Sequence, residues 1–178
     1  MKYFYTKLFL ILFLLFGLGQ QASAEGWYVG GGLSKIGFSK DLNGVDDANG
    51  LAFLGGYRFA NNISTELMVT SSLHDEEFLN GDAAYGSILG GGKFSFGSGQ
   101  FQPYLAIGIS LQVIDFDFFE EITGAGTYLG IGADIYAARN HVVNFSVRNN
   151  TWDGEDTFFD YDNKTRYVTF AYNYYFTP

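Results

Sequence analysis

The chain has 178 residues, of which 19% are aromatic and 16% charged, with 24 Gly, 2 Pro and no Cys. Its 10 Lys+Arg stand against 19 Asp+Glu, a formal charge of −9, which argues against nucleic acid as a partner. The missing cysteine excludes disulfides and thiolate metal sites, and the length suits one domain.

At the N-terminus, Lys2 and Lys7 flank the start of an apolar run of 11 residues, Leu8 to Leu18, and Ala22-Ser23-Ala24 follows. A helix needs roughly 20 apolar residues to cross a bilayer. The pattern therefore predicts a secretory signal peptide over residues 1–24, cleaved before Glu25, and a single domain over 25–178. Removing Lys2 and Lys7 leaves 8 bases against 19 acids, a formal charge of −11.

Eight segments alternating at a period of two follow: Gly26 to Phe38, Gly50 to Phe59, Ile63 to Leu73, Ala83 to Phe96, Phe101 to Ile114, Ile122 to Tyr136, His141 to Asn149 and Lys164 to Phe176. Short connections at 60–62, 97–100 and 137–140 take turns with longer ones at 39–49, 74–82, 115–121 and 150–163. Parity puts Trp27, Val29 and Leu33, Leu51 and Phe53, Leu67 and Val69, Ile107, Ile109 and Leu111, Leu129 and Ile131, and Phe170, Tyr172, Tyr174 and Phe176 on one face. The other face carries small and polar residues such as Gly32, Ser34, Gly56, Ser64, Thr70, Gly91, Gln102, Gly108, Ser110, Asn144 and Ser146. A soluble ligand-binding barrel would show the reverse, an apolar lumen and a charged exterior. The expected fold is an all-β, eight-stranded antiparallel up-and-down transmembrane β-barrel in the outer membrane of a Gram-negative cell. Closure lets every strand pair on both edges, as lipid demands, so a monomer is expected. Short turns and both mature termini are assigned to the periplasm and the long connections to the cell exterior. Lys35 falls outward near the upper rim, which leaves two readings open: a register shift, or a lysine reaching lipid headgroups.

Leu51 to Leu73, LAFLGGYRFANNISTELMVTSSL, resembles the second hairpin of the small outer-membrane barrels typified by outer membrane protein A. GWYVGGGLS at the start, KFSF before the second turn and PYLAIGIS after it are similar to the same family. The resemblance covers the whole mature chain and departs at its end, where only Thr177-Pro178 follow the eighth strand and no peptidoglycan-binding domain is expected. The family's terminal aromatic is a second departure, since here it is Phe176 and not the last residue.

Parity turns Arg58, Glu66, Lys93, Asp134 and Arg148 inward, and Glu66 and Lys93 lie at similar depth on neighbouring strands, where they can pair. The resemblance implies that such residues form an ion network plugging the lumen, with Glu66, Lys93 and Asp134 at matching positions and Arg148 higher on its strand. A lumen this narrow is fillable by side chains. The alternative is a narrow porin-like channel. Lipid A-modifying enzymes also use eight-stranded barrels, but the deacylase motif His-x-Ser-Asn is replaced here by Val147-Arg148-Asn149-Asn150. His74, beside Ser72 and Asp75, is expected to be a solvated loop residue, and no catalytic residue or cofactor is assigned.

Sixteen of the 19 acids fall in the four long connections, offset only by Lys40. The cluster Asp153, Glu155, Asp156, Asp160 and Asp162 is the candidate rim for a divalent cation or for lipopolysaccharide, though its spacing fits no Ca loop. Phe116, Phe118, Phe119, Trp152, Phe158, Phe159 and Tyr161 interleave with the acids as candidate surface contacts. The function expected is structural or surface-interacting, with outer-membrane lipid and lipopolysaccharide as partners.

Overall fold

The computed structural model describes residues 26–40, 46–59, 62–75, 82–96, 100–116, 121–138, 140–155 and 160–176, so the expected signal peptide lies outside the described residues. Alternation at a period of two becomes eight strands: β1 Trp27–Lys40, β2 Ala48–Arg58, β3 Ile63–Asp75, β4 Asp82–Ser95, β5 Phe101–Phe116, β6 Ile122–Ala138, β7 His141–Glu155 and β8 Asp160–Phe176. Each pairs antiparallel with its sequence neighbours, and β8 returns to β1 from Trp27↔Phe176 to Lys40↔Asn163, closing the barrel. Closure leaves no ladder edge unpaired, which is what allows a sheet to sit in hydrocarbon.

The short turns are held by backbone bonds such as Phe59 N to Ile63 O at 2.9 Å and Tyr175 N to Asn140 O at 2.9 Å. Asn62 turns the β2–β3 corner at φ 75°, a left-handed conformation that asparagine tolerates better than most side chains. At this end, edge-to-face contacts join Trp27 to Tyr57, Tyr57 to Phe59, Phe94 to Phe96 and Tyr174 to Phe176, an aromatic girdle suited to a membrane interface.

The outward apolar positions are bare: Ile107 is 65% exposed, Ile109 69%, Leu33 63% and Phe170 60%. Such a band far exceeds the apolar patches soluble monomers leave in water, so its solvent is lipid. Val69 is outward by parity yet buried, standing in the ladder between Phe53 and Ile88.

The structure departs from the residue pattern in three respects. First, the lumen is not lined by small and polar residues alone. Towards the end with the long connections it holds an apolar cluster that includes Ile36, Leu54, Met68, Tyr85, Leu89, Ile114, Trp152 and Tyr167. Second, the strands run past the apolar band. β7 extends from Asn149 to Glu155 and β8 begins at Asp160, because ladder hydrogen bonds continue where side chains no longer need to face lipid. Asp75, Asp82, Asp115, Asp153, Glu155, Asp160 and Asp162 are consequently strand residues rather than loop residues. Third, Trp152 is no surface contact: it is fully buried, with Nε1 donating to Thr165 Oγ1 at 2.9 Å. Lys35 stays in register, opposite Asn49 and Val168, and points outward without a bulge.

Candidate functional site

Strand parity, not proximity in sequence, assembles the lumenal site. Glu66 on β3, Lys93 on β4, Asp134 on β6 and Arg148 on β7 all turn inward and are buried. Arg148 donates to Glu66 Oε1, and Lys93 Nζ lies 2.6 Å from Asp134 Oδ2 and 3.8 Å from Glu66 Oε2. The neighbouring pair Glu66 and Lys93, expected to be direct partners, is therefore the longer link. Glu66 stands opposite Gly91 while Lys93 stands opposite Ser64, an offset of two residues, and chords across the narrow lumen offer each a closer partner. Two acids and two bases form a set of zero net charge. Its members need each other, since an unpaired ion in a dry interior costs several kcal/mol, of order 3–5.

Three tyrosines, which the residue pattern did not single out, complete the arrangement. Tyr28 donates to Glu66 Oε2 at 2.8 Å. The Tyr104 ring lies 4.0 Å from Lys93 Nζ, and its hydroxyl accepts from Asn144 Nδ2 at 2.9 Å while the same amide reaches Asp134 Oδ1 at 2.7 Å. The Tyr128 ring lies 5.7 Å from the Arg148 guanidinium carbon. Each ring stands opposite a glycine on the next strand: Tyr28↔Gly56, Tyr104↔Gly132 and Tyr128↔Gly108. A Cβ on Gly56 or Gly132 would come within 2.5 Å of the facing tyrosine Cζ and hydroxyl. The missing side chain is what lets the ring lie flat along the wall and carry its hydroxyl to the centre. The signal was present as Tyr and Gly at inward parity, but pairing them requires the register.

Arg58 also turns inward but joins another cluster, against the expectation of a single network. It donates to the Tyr136 hydroxyl and, at 2.7 Å, to Gln102 Oε1, near the short turns. Ser72 and His74 are buried strand residues and not solvated ones. Ser72 Oγ is 2.7 Å from His74 Nε2, and His74 Nδ1 is 2.7 Å from the Asp46 carbonyl oxygen. With Nδ1–H donating to that carbonyl, Nε2 accepts from the serine, but neither group presents itself to a substrate.

On the rim, Asp153 stands directly opposite Asp162, and Glu155 opposite Asp160, while Asp156 lies outside the described residues. Among the described residues no three acidic or histidine side chains converge on a metal position.

A closed barrel with a bare apolar exterior and a charged, aromatic-lined lumen defines a transmembrane β-barrel. The family model described as "Outer membrane protein beta-barrel domain" matches residues 8–176, and the chain belongs to this family. Its place is accordingly the outer membrane. Among solved structures, Neisserial surface protein A is similar at 18% identity, covering 84% of this chain and 97% of its own, with a TM-score of 0.70. OprG from Pseudomonas aeruginosa is 16% identical over 87% of this chain and 97% of its own, with a TM-score of 0.60. Ail, the attachment invasion locus protein of Yersinia pestis, is 17% identical over 86% of this chain and 99% of its own, also at 0.60, and has been solved in complex with the heparin analogue sucrose octasulfate. At these identities the likeness is one of fold. Among curated proteins, none matches the sequence significantly.

Proposed function

We propose that the protein is a non-catalytic outer-membrane barrel with a side-chain-plugged lumen and a structural or surface-interaction role. The observation that carries this reading is the buried, charge-neutral set Glu66, Lys93, Asp134 and Arg148, joined across the lumen with Tyr28, Tyr104 and Asn144. Opening a path would separate these charges in a low dielectric. The even strand number supports placing both mature termini beside the short turns, in the periplasm, with the long connections outside. Closure without a partner strand supports a monomer. The buried Ser72–His74 contact supports neither lipid A modification nor other hydrolysis.

Planar-bilayer recording of the refolded protein tests the plug: no steady conductance is expected, and steady open events in the wild type overturn it. A narrow porin-like channel is the second reading, favoured by Asn163 and Asn173. Their buried side-chain amides meet no hydrogen-bond partner among the described residues, and a water column would satisfy them.

For the surface role, the opposed acids Asp153 and Asp162 support cation bridging to lipopolysaccharide, because like charges directly opposite in a ladder repel unless neutralised, and the sequence adds Glu155, Asp156 and Asp160 to the same acidic stretch. A chelator-sensitive share of lipopolysaccharide binding that disappears when these acids are neutralised is the expected result.

A further inference from the structure

Among the described residues, the bases on the outer wall are gathered in one sector. On β8 the outward positions run Tyr172, Phe170, Val168, Arg166, Lys164, and on β1 they run Val29, Gly31, Leu33, Lys35. On β7 they run Phe145, Val147, Asn149, Thr151. Apolar side chains give way to Lys35, Arg166 and Lys164 across adjacent strands within five consecutive rungs of the ladder: Lys35 opposite Val168, Gly37 opposite Arg166, Ser39 opposite Lys164. A cavity of about 590 Å³ opens on this wall, lined among others by Lys35, Lys164, Arg166, Asn149, Thr151 and Val168. Within it Arg166 Nε is held at 2.9 Å from Asn149 Oδ1, and Lys35 Nζ lies 3.0 Å from Asp47 Oδ2.

We propose that this β1–β8–β7 face holds a phosphate of a glycolipid of the lipopolysaccharide class, seated beside the barrel with its acyl chains along Phe170, Val168 and Leu33. Depth, charge and direction of approach favour it. The depth is that of a headgroup layer, directly above the apolar band. The charge is complementary: on a chain of formal charge −9, three cations converge on one cavity with one acid among its lining residues. The direction of approach is sideways, since Asp162 and Asp153, next outward along β8 and β7, repel an anion arriving from solution but not one already in the plane of the leaflet. A lipid phosphate therefore fits better than free phosphate or a soluble polyanion. The inference rests on the orientation proposed above, yet it places direct phosphate contact on bases, where chelator has no effect.

The test uses the full chain in nanodiscs of zwitterionic phospholipid, in chelator, titrated with bisphosphorylated lipid A, with the same lipid stripped of phosphate, and with phosphatidylglycerol. Native mass spectrometry reads the bound lipid. Lipid A should be retained over both other lipids. Combined Lys35→Gln, Lys164→Gln and Arg166→Gln should weaken it about a hundredfold, at roughly a kcal/mol per base near a charged surface. The control pair Ser71→Gln and Thr123→Gln, outward on β3 and β6 away from this face, should not, and heat-dependent gel mobility verifies folding of every variant. Equal binding of the dephosphorylated lipid, equal binding of phosphatidylglycerol, or wild-type affinity in the triple variant overturns the proposal. An epitope placed in the 117–120 connection and probed on intact cells separates the premise: labelling only after lysis overturns the orientation itself.

Discussion

Glu66 shows how a single residue depends on the whole wall, because its two carboxylate oxygens serve Arg148 from β7, Tyr28 from β1 and, more distantly, Lys93 from β4. Glu66→Gln leaves Arg148 buried without its counter-charge and should cost about 3–5 kcal/mol. Glu66→Gln combined with Arg148→Met keeps the Lys93–Asp134 pair balanced and should cost much less than the two single changes added together. Urea unfolding in lipid checks both, and equal small losses for the single variants would mean that water screens the network. Gly132→Ala is the matching steric test. The new methyl would sit 2.5 Å from the Phe145 carbonyl oxygen and from Tyr104, so the ring must leave the wall and give up its stack on Lys93. A loss of about 1–3 kcal/mol is expected from such overpacking. Stability unchanged within error would show that Tyr104 has another resting place.

At the scale of elements, β7 and β8 differ most from the alternation of apolar residues, because each continues beyond the band facing lipid. What supports the continuation is inside the barrel. Trp152 stands opposite Gly126, its ring lies over Gly124, and it bonds across to Thr165 on β8. Trp152→Ala should therefore cost about 3–5 kcal/mol locally, the usual range for emptying a buried aromatic site. Because the band in lipid is untouched, insertion should survive. Hydrogen exchange is expected to rise at the outer ends of β6, β7 and β8 and to stay slow at Ala171 and Asn144. Uniform loosening of all strands would show that the outer cluster and the ion network form one cooperative unit.

For the molecule as a whole, closure is the property that matters. Eight paired strands with no free edge resist dissociation by detergent, so the mature protein should fractionate with the outer membrane and run faster on a gel unheated than boiled. Recovery in the soluble periplasmic fraction would contradict this. The lumen's two layers, ionic and tyrosine-lined below and apolar above, should make conductance insensitive to removal of any one charge. Conductance that appears with Asp134→Asn alone would assign gating to Lys93.

Alternation of side chains determined the strand number, the inward and outward faces and the membrane class, because a period of two is a local property of extended chain and lipid selects apolar side chains along the band it touches. Inward placement of Glu66, Lys93, Asp134, Arg148 and Arg58 was legible for the same reason. Partners were not. Glu66 and Lys93 are neighbours along adjacent strands, yet the closer contacts run to Arg148 and Asp134, since a closed wall brings non-adjacent strands within side-chain reach only once curvature and register are set. Tyr28, Tyr104 and Tyr128 form a group only through the register that sets each against its glycine, and Trp152 is buried because β7 continues through it. Local periodicity carries no information on which chords cross a lumen, and that is what the tertiary structure decided.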